Sequence, residues 1–138
     1  MEYIATSAEI ESLARQTVTA AINVHIELGG PGLVESAYEE ALEAELKIMG
    51  LTVERQVACP LMYKGQRLTT ILRLDLLVGG KLIVECKAVD KYNPIFECQL
   101  LTYLRMTGQQ LGLVINFGER LVKNGIRMVI NSLPAAHS

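Results

Sequence analysis

Residues 67–88 read Arg67-Leu68-Thr69-Thr70-Ile71-Leu72-Arg73-Leu74-Asp75-Leu76-Leu77-Val78-Gly79-Gly80-Lys81-Leu82-Ile83-Val84-Glu85-Cys86-Lys87-Ala88. The apolar runs on either side of Gly79-Gly80 have strand length, and a Gly-Gly pair between two such runs is a two-residue hairpin signal. A strand is therefore expected over Arg67 to Val78 and its partner over Lys81 to Ala88. What interrupts the runs is charge: Asp75 in the first, Glu85 and Lys87 in the second. Side chains alternate across a strand, so Glu85 and Lys87 share one face with Ile83, and Val84 and Cys86 take the other. A two-residue turn pairs Val78 with Lys81, sets Asp75 opposite Val84 and leaves it diagonal to the neighbours of Glu85. A bulge or slip would bring the two acids together.

Before this hairpin, Val53, Arg55 and Val57 alternate with Glu54 and Gln56, and the pattern continues past Pro60 to Tyr63. That makes a third strand of a meander, with Pro60 marking a sheet edge. Upstream, Thr6 and Glu9 form a capping-box pattern ahead of apolar residues at helical spacing, and a helix is expected from Ser7 to Leu28. Gly29-Gly30-Pro31-Gly32 ends it, and a second helix runs from Leu33 to Met49, stopped by Gly50. Its Glu39, Glu40, Glu43 and Glu45 read as a solvated face. Downstream, Asn93-Pro94 opens a third helix that Gly108 closes. Leu111 to Asn116 suits a buried strand, and Ile126 to Ile130 adds a last one.

The chain of 138 residues allows one domain, 1–138, with a core over about 8–131 and a tail at 132–138. Half of the residues are hydrophobic and 20% are charged, which argues against disorder. With 13 basic and 15 acidic residues the formal charge is -2, so a broadly basic protein that coats nucleic acid is excluded and any anion site must be local. Cys59, Cys86 and Cys98 form no C-x-x-C pair, a pattern expected of a reducing cytoplasm. His25 and His137 supply too few ligands for tetrahedral zinc, so carboxylates must hold any metal. No apolar run approaches the roughly 20 residues that cross a bilayer, and no membrane contact is expected.

An ionised carboxylate in an apolar layer is costly unless it is paired or gathered around a cation. Asp75, Glu85 and Lys87 would satisfy this either as a structural ion pair at a sheet edge or as an acid, acid and lysine set around a divalent ion. The second residue pattern resembles the PD-(D/E)xK nuclease-like superfamily, with Leu74 where the name-giving proline would stand. Gly32-Leu33-Val34-Glu35-Ser36-Ala37-Tyr38 reads as G-x-x-E-x-x-Y and is identified with the GxxExxY family of that superfamily. Leu28 to Gly32, Tyr63-Lys64-Gly65, Asp75 to Val78, Gln99 to Leu104 and Val114 to Gly118 are similar to it too.

The resemblance implies an α/β domain of the α+β type: a restriction-endonuclease-like core whose mixed central sheet holds the three-stranded meander between helices. It implies a metal-dependent nuclease hydrolysing phosphodiester bonds in DNA or RNA, with Mg2+ or Mn2+ held by Asp75, Glu85 and Glu35. Hard divalent cations favour such oxygen ligands. Asp75, Glu85, Lys87 and Gln99 would be the catalytic residues, Lys87 orienting the attacking water or stabilising charge on the phosphate. Glu35 would equally suit a helix N-terminus as a plain carboxylate. His25, Tyr38 and Tyr103 are candidates for substrate contact, and each also reads as a packed core residue. The alternative function is a catalytically silent module that binds a nucleic-acid or protein partner. Arg55, Lys64, Arg67, Arg73, Lys81, Lys87 and Lys91, in or beside the meander, could make one sheet side basic for nucleic acid, and a homodimer or larger complex could complete the groove.

Overall fold

Helix α1 spans Ala8–Glu27 and takes its cap from Ser7, whose Oγ accepts the Ile10 N–H at 3.2 Å. The capping box expected at Thr6 does not form: the Thr6 hydroxyl instead donates to Glu11 at 2.8 Å. Helix α2 is Glu35–Ile48 and follows the glycine-rich turn. Strands β1 (Val53–Tyr63), β2 (Gln66–Val78) and β3 (Leu82–Lys87) come next, then α3 (Ile95–Thr107), β4 (Leu111–Asn116), a short 3-10 turn at Val122–Gly125 and β5 (Ile126–Ile130). This computed structural model describes residues 6–132, so the expected tail lies outside the described residues save for Ser132.

The five strands lie in sequence order. The first three form the antiparallel meander, β4 runs parallel to β3 after the α3 crossover, and β5 returns antiparallel. The result is an α+β fold with a mixed sheet flanked by helices. β1 is an edge strand, where a proline is tolerated, and the β1–β2 register shifts just after Pro60. Helices α1 and α2 pack on one face through Leu13, Ala21, Leu42 and Leu46 against Leu76, Val84 and Leu113. On the other face α3 sets Leu100 and Leu104 on Ile83 and Val114. β4 is buried throughout, as its unbroken apolar run requires.

The β2–β3 hairpin differs from the expected two-residue turn. Val78 pairs with Leu82 and Leu76 with Val84, so the connection is Gly79-Gly80-Lys81. Gly79 and Gly80 both adopt positive φ (60° and 69°), the Lys81 N–H closes a turn onto the Val78 carbonyl, and Lys81 is the extra residue. One residue more in the loop moves the register by one, and Asp75 then faces Glu85 instead of Val84.

A second irregularity aims the acid. Along β2, Leu72 and Leu74 pack on the α3 side, whereas Leu76 and Val78 pack on the α1/α2 side. Along β1 the same exchange separates Val57 and Cys59 from Val53. Strict alternation would keep each set on one face, so both strands turn over between the pairs Arg55–Leu76 and Val57–Leu74, at Gln56 and Asp75. Gln56 carries the strain, with φ of 55°, a left-handed backbone uncommon for a residue with a Cβ.

Candidate active site

Asp75 and Glu85 meet where the regular β2–β3 ladder ends. The Glu85 carboxylate accepts the Asp75 N–H at 2.9 Å, and the Asp75 carboxylate accepts the Cys86 N–H at 2.8 Å. Each acid thus replaces a backbone carbonyl as acceptor, which leaves one oxygen on each free of these bonds. Burial pushes both carboxyls up, Asp75 to about 6 and Glu85 to about 8. Their mutual repulsion raises Glu85 further, while the backbone donors and Lys87 oppose the shift.

Lys87 follows Glu85 by two positions, yet makes no salt bridge with either acid. Its ammonium sits 4.6 Å from the ring centre of Phe96, a cation–π contact. Tyr92 meets Phe96 edge-on at 5.5 Å, its hydroxyl donates to Glu97 at 3.2 Å, and Arg127 lies over its ring at 5.0 Å. This aromatic shelf at the start of α3 takes the Lys87 side chain, whose charge still lowers the proton affinity of Asp75, Glu85 and Glu35. The structural ion pair is therefore not the arrangement formed. Sequence reading missed Phe96, although an aromatic residue just past Asn93-Pro94, at the helix start following the lysine strand, is the kind of signal that could have found it.

Glu35 opens α2 half-buried, and burial raises its carboxyl, with Lys87 opposing and Glu39 adding to the rise. It thus belongs to the same electrostatic group. Among the described residues no three His, Cys, Asp or Glu side chains gather as a metal site, so the expected three-acid ligand set is not closed. A buried and a half-buried carboxylate still fit a small hard cation, since Mg2+ keeps several waters and is commonly held by one or two acids. Burial, the main cause of their raised proton affinity, penalises the ionised pair, and a divalent ion would offset that penalty.

Glu39 corrects the reading of α2 as carrying a solvated acid face. It is only 4% exposed. Arg55 Nε donates to it at 3.0 Å and Gln56 Nε2 at 2.6 Å, so it clamps the turned-over segment of β1 opposite Asp75. Its charge also raises Asp75 and Glu85. Its partners come from a strand, which helix periodicity does not reveal.

His25 and Tyr38, expected near substrate, are built into the core. The His25 Nε2–H donates to the Phe117 carbonyl at 3.0 Å, and Tyr38 stacks on Phe117 with ring centres 4.7 Å apart. The Tyr38 hydroxyl donates to the Gly30 carbonyl at 2.6 Å and accepts the Leu33 N–H at 3.2 Å. The G-x-x-E-x-x-Y spacing thereby acquires a structural meaning: the tyrosine ties down the loop that leads to Glu35. Tyr103 is half-buried on α3, its hydroxyl raised by burial and by the charges of Glu85 and Asp75, which sets it beside the acids. Gln99 is exposed one turn away and makes no side-chain hydrogen bond among the described residues.

The segment leaving Lys87 is fixed by Asn116. This buried amide accepts the Val89 and Gly118 N–H groups and donates to the Val89 carbonyl, each at 3.0 Å. Between that segment and the glycine-rich turn opens a cleft of about 300 Å³ lined by Pro31, Gly32, Leu33, Ala88, Val89, Asp90 and Gly118.

A family model described as PD-(D/E)XK nuclease superfamily matches residues 11–129, well over half of the chain. No curated protein and no solved structure matches.

Proposed function

The chain belongs to the PD-(D/E)XK nuclease superfamily, and we propose that it is a divalent-metal-dependent nuclease whose working residues are Asp75, Glu85 and Lys87. The observation that carries this reading is the cross-bonded carboxylate pair, Glu85 buried and Asp75 half-buried, with a lysine beside it that makes no salt bridge to either acid. The Gly32, Glu35 and Tyr38 spacing further supports placement in the GxxExxY family.

Asp75 and Glu85 would hold Mg2+ or Mn2+, with Glu35 contributing through water; the ion supplies polarisation of a phosphate oxygen and a more acidic bound water. Lys87 then stabilises the negative charge that grows on the phosphoryl oxygens, or orients the attacking water. That ammonium rests on the Phe96 ring without a salt bridge to either acid, which leaves its charge available to the substrate. Asp75 and Glu85 must shed their proton for the cation to bind, and their affinity for it is set by burial. Tyr103 and Gln99 offer polar groups along the α3 side of the same site. DNA or RNA is the substrate class.

The test is cleavage of supercoiled plasmid DNA and of single-stranded RNA in Mg2+, in Mn2+ and in chelator. Wild type is expected to cut at least one of the two only with metal. Asp75→Asn, Glu85→Gln and Lys87→Met are each expected to lose about 100-fold or more. Wild-type inactivity under every condition, or full activity in the Asp75 and Glu85 variants, overturns the reading.

A further inference from the structure

The β1–β2 hairpin outruns the rest of the sheet. β3 pairs with β2 only from Leu76 to Val78, and the ten residues 62–71 are exposed without interruption. The base is anchored, since Val57, Cys59, Leu72 and Leu74 pack against the α3 side. Beyond it the two strands form a free ribbon, closed by a tight turn in which Lys64 and Gly65 adopt φ of 49° and 80°. A lone two-stranded ribbon is marginal in water, so nothing in the core requires this length.

Its charge is one-sided. No acid occurs between Glu54 and Asp75, whereas Arg55, Lys64, Arg67 and Arg73 lie in that interval; all 15 acidic residues lie outside it. Arg55 is taken by Glu39, and the other ion pairs are Lys47–Glu43, Lys81–Glu9 and Arg127–Glu97. Lys64, Arg67 and Arg73 have no acidic partner among the described residues. Arg73 faces Ala58, Ile71 faces Pro60 and Arg67 faces Met62 across the hairpin. Ala58 alternates with Val57 and Cys59, and Arg73 with Leu72 and Leu74, so Arg73 stands on the ribbon face turned away from α3, while Arg67 lies beyond a register shift between Pro60 and Met62. Arg67 and Arg73 are six residues apart along β2, at most about 20 Å or about six base-pair steps. Exposed Tyr63 and Lys64, 5.5 Å apart, form the tip.

We propose that this ribbon is an arm that seats double-stranded DNA, lying in the major groove with Arg67, Arg73 and Lys64 at phosphates. The assignment of a nucleic-acid polymer rests on the nuclease reading; the choice of duplex DNA rests on shape. The major groove of B-DNA is about 12 Å wide and admits a two-stranded ribbon, whereas the A-form RNA major groove is too deep and narrow for side chains to read. A single-strand platform would need several stacking aromatics, and this ribbon has one, Tyr63. The arm runs directly into Asp75, two residues beyond Arg73, so a duplex held there lies next to the carboxylates.

The test is fluorescence anisotropy of the full chain, in Ca2+, with a labelled DNA duplex of about 20 base pairs, the matching RNA duplex and the single DNA strand, over a salt series. Wild type is expected to bind the DNA duplex at least about tenfold more tightly than the RNA duplex or the single strand. The triple variant Lys64→Ala, Arg67→Ala, Arg73→Ala is expected to lose at least about tenfold in duplex affinity, with the slope of log K against log salt flattened by about 2.7. Lys64→Arg, Arg67→Lys, Arg73→Lys is expected to keep the wild-type slope. An unchanged slope in the alanine variant, equal affinity for RNA duplex, or a change of oligomeric state in place of DNA affinity overturns the arm. A plasmid cleavage assay run alongside separates the two claims: binding through the arm without metal-dependent cleavage sinks the nuclease reading alone, and cleavage with the alanine variant's KM unchanged sinks the arm alone.

Discussion

Asp75 and Glu85 hold protons more tightly in the fold than in an unfolded chain, and this has a definite sign. A carboxyl whose pKa is raised on folding contributes stability that is present below its ordinary value near 4 and is lost as pH rises through the folded value, here about 6 and about 8. In chelator the melting temperature is therefore expected to fall between about pH 5 and pH 8, and Glu85→Gln should flatten that decline. Saturating Mg2+ should restore stability at high pH, by about 2.7 kcal/mol at 100 times its dissociation constant, and its binding near neutral pH should release protons to the buffer, measurable by calorimetry in two buffers of different ionisation enthalpy. Tyr38 makes a separate prediction. Tyr38→Phe leaves the Gly30 carbonyl and Leu33 N–H without their buried partner, at a cost of about 1–3 kcal/mol in urea unfolding, and metal affinity should fall through loosening of the Glu35 turn. Gly118 abuts the Val89 carbonyl, where a Cβ has no room, so Gly118→Ala is expected to destabilise by about 1–3 kcal/mol by the same measurement.

At the scale of elements, periodicity and punctuation exposed every helix and strand, because the apolar faces that build the core repeat at the period of the element that carries them. The meander was legible in the same way, from alternation in Val53 to Val57 and the glycine pair. The register was not, since Gly79-Gly80 is compatible with a two-residue or a three-residue connection and only the geometry at Lys81 decides. That single residue sets Asp75 opposite Glu85. The turned-over segment was hidden too: Gln56 carries no glycine-like signal, and its strained backbone is held by Glu39, a residue that helix periodicity placed toward solvent. Glu39→Ala removes the shared acceptor of Arg55 and Gln56, and is expected to cost about 1–3 kcal/mol in denaturant unfolding while lowering metal affinity through a shifted Asp75. Arg55→Lys, which keeps a charge beside an intact Glu39, should cost less than Glu39→Ala.

Over the whole molecule, the near-neutral charge conceals a division of labour. Five acids lie on α2 and two form the carboxylate pair, the outer β1–β2 ribbon carries Lys64, Arg67 and Arg73 with no acid, and the site lies at the junction. The acid, acid and lysine set was visible in the sequence as charge breaking apolar strands. Its supports, Phe96, Glu39 and Asn116, were not, because each acts through a contact distant in sequence. Crystals soaked in Mn2+ and measured at the manganese absorption edge test this most directly. An anomalous peak bridging the Asp75 and Glu85 carboxylates, with Lys87 still on Phe96, is the expected result; a site without manganese and with the Lys87 ammonium bonded to either acid would contradict it.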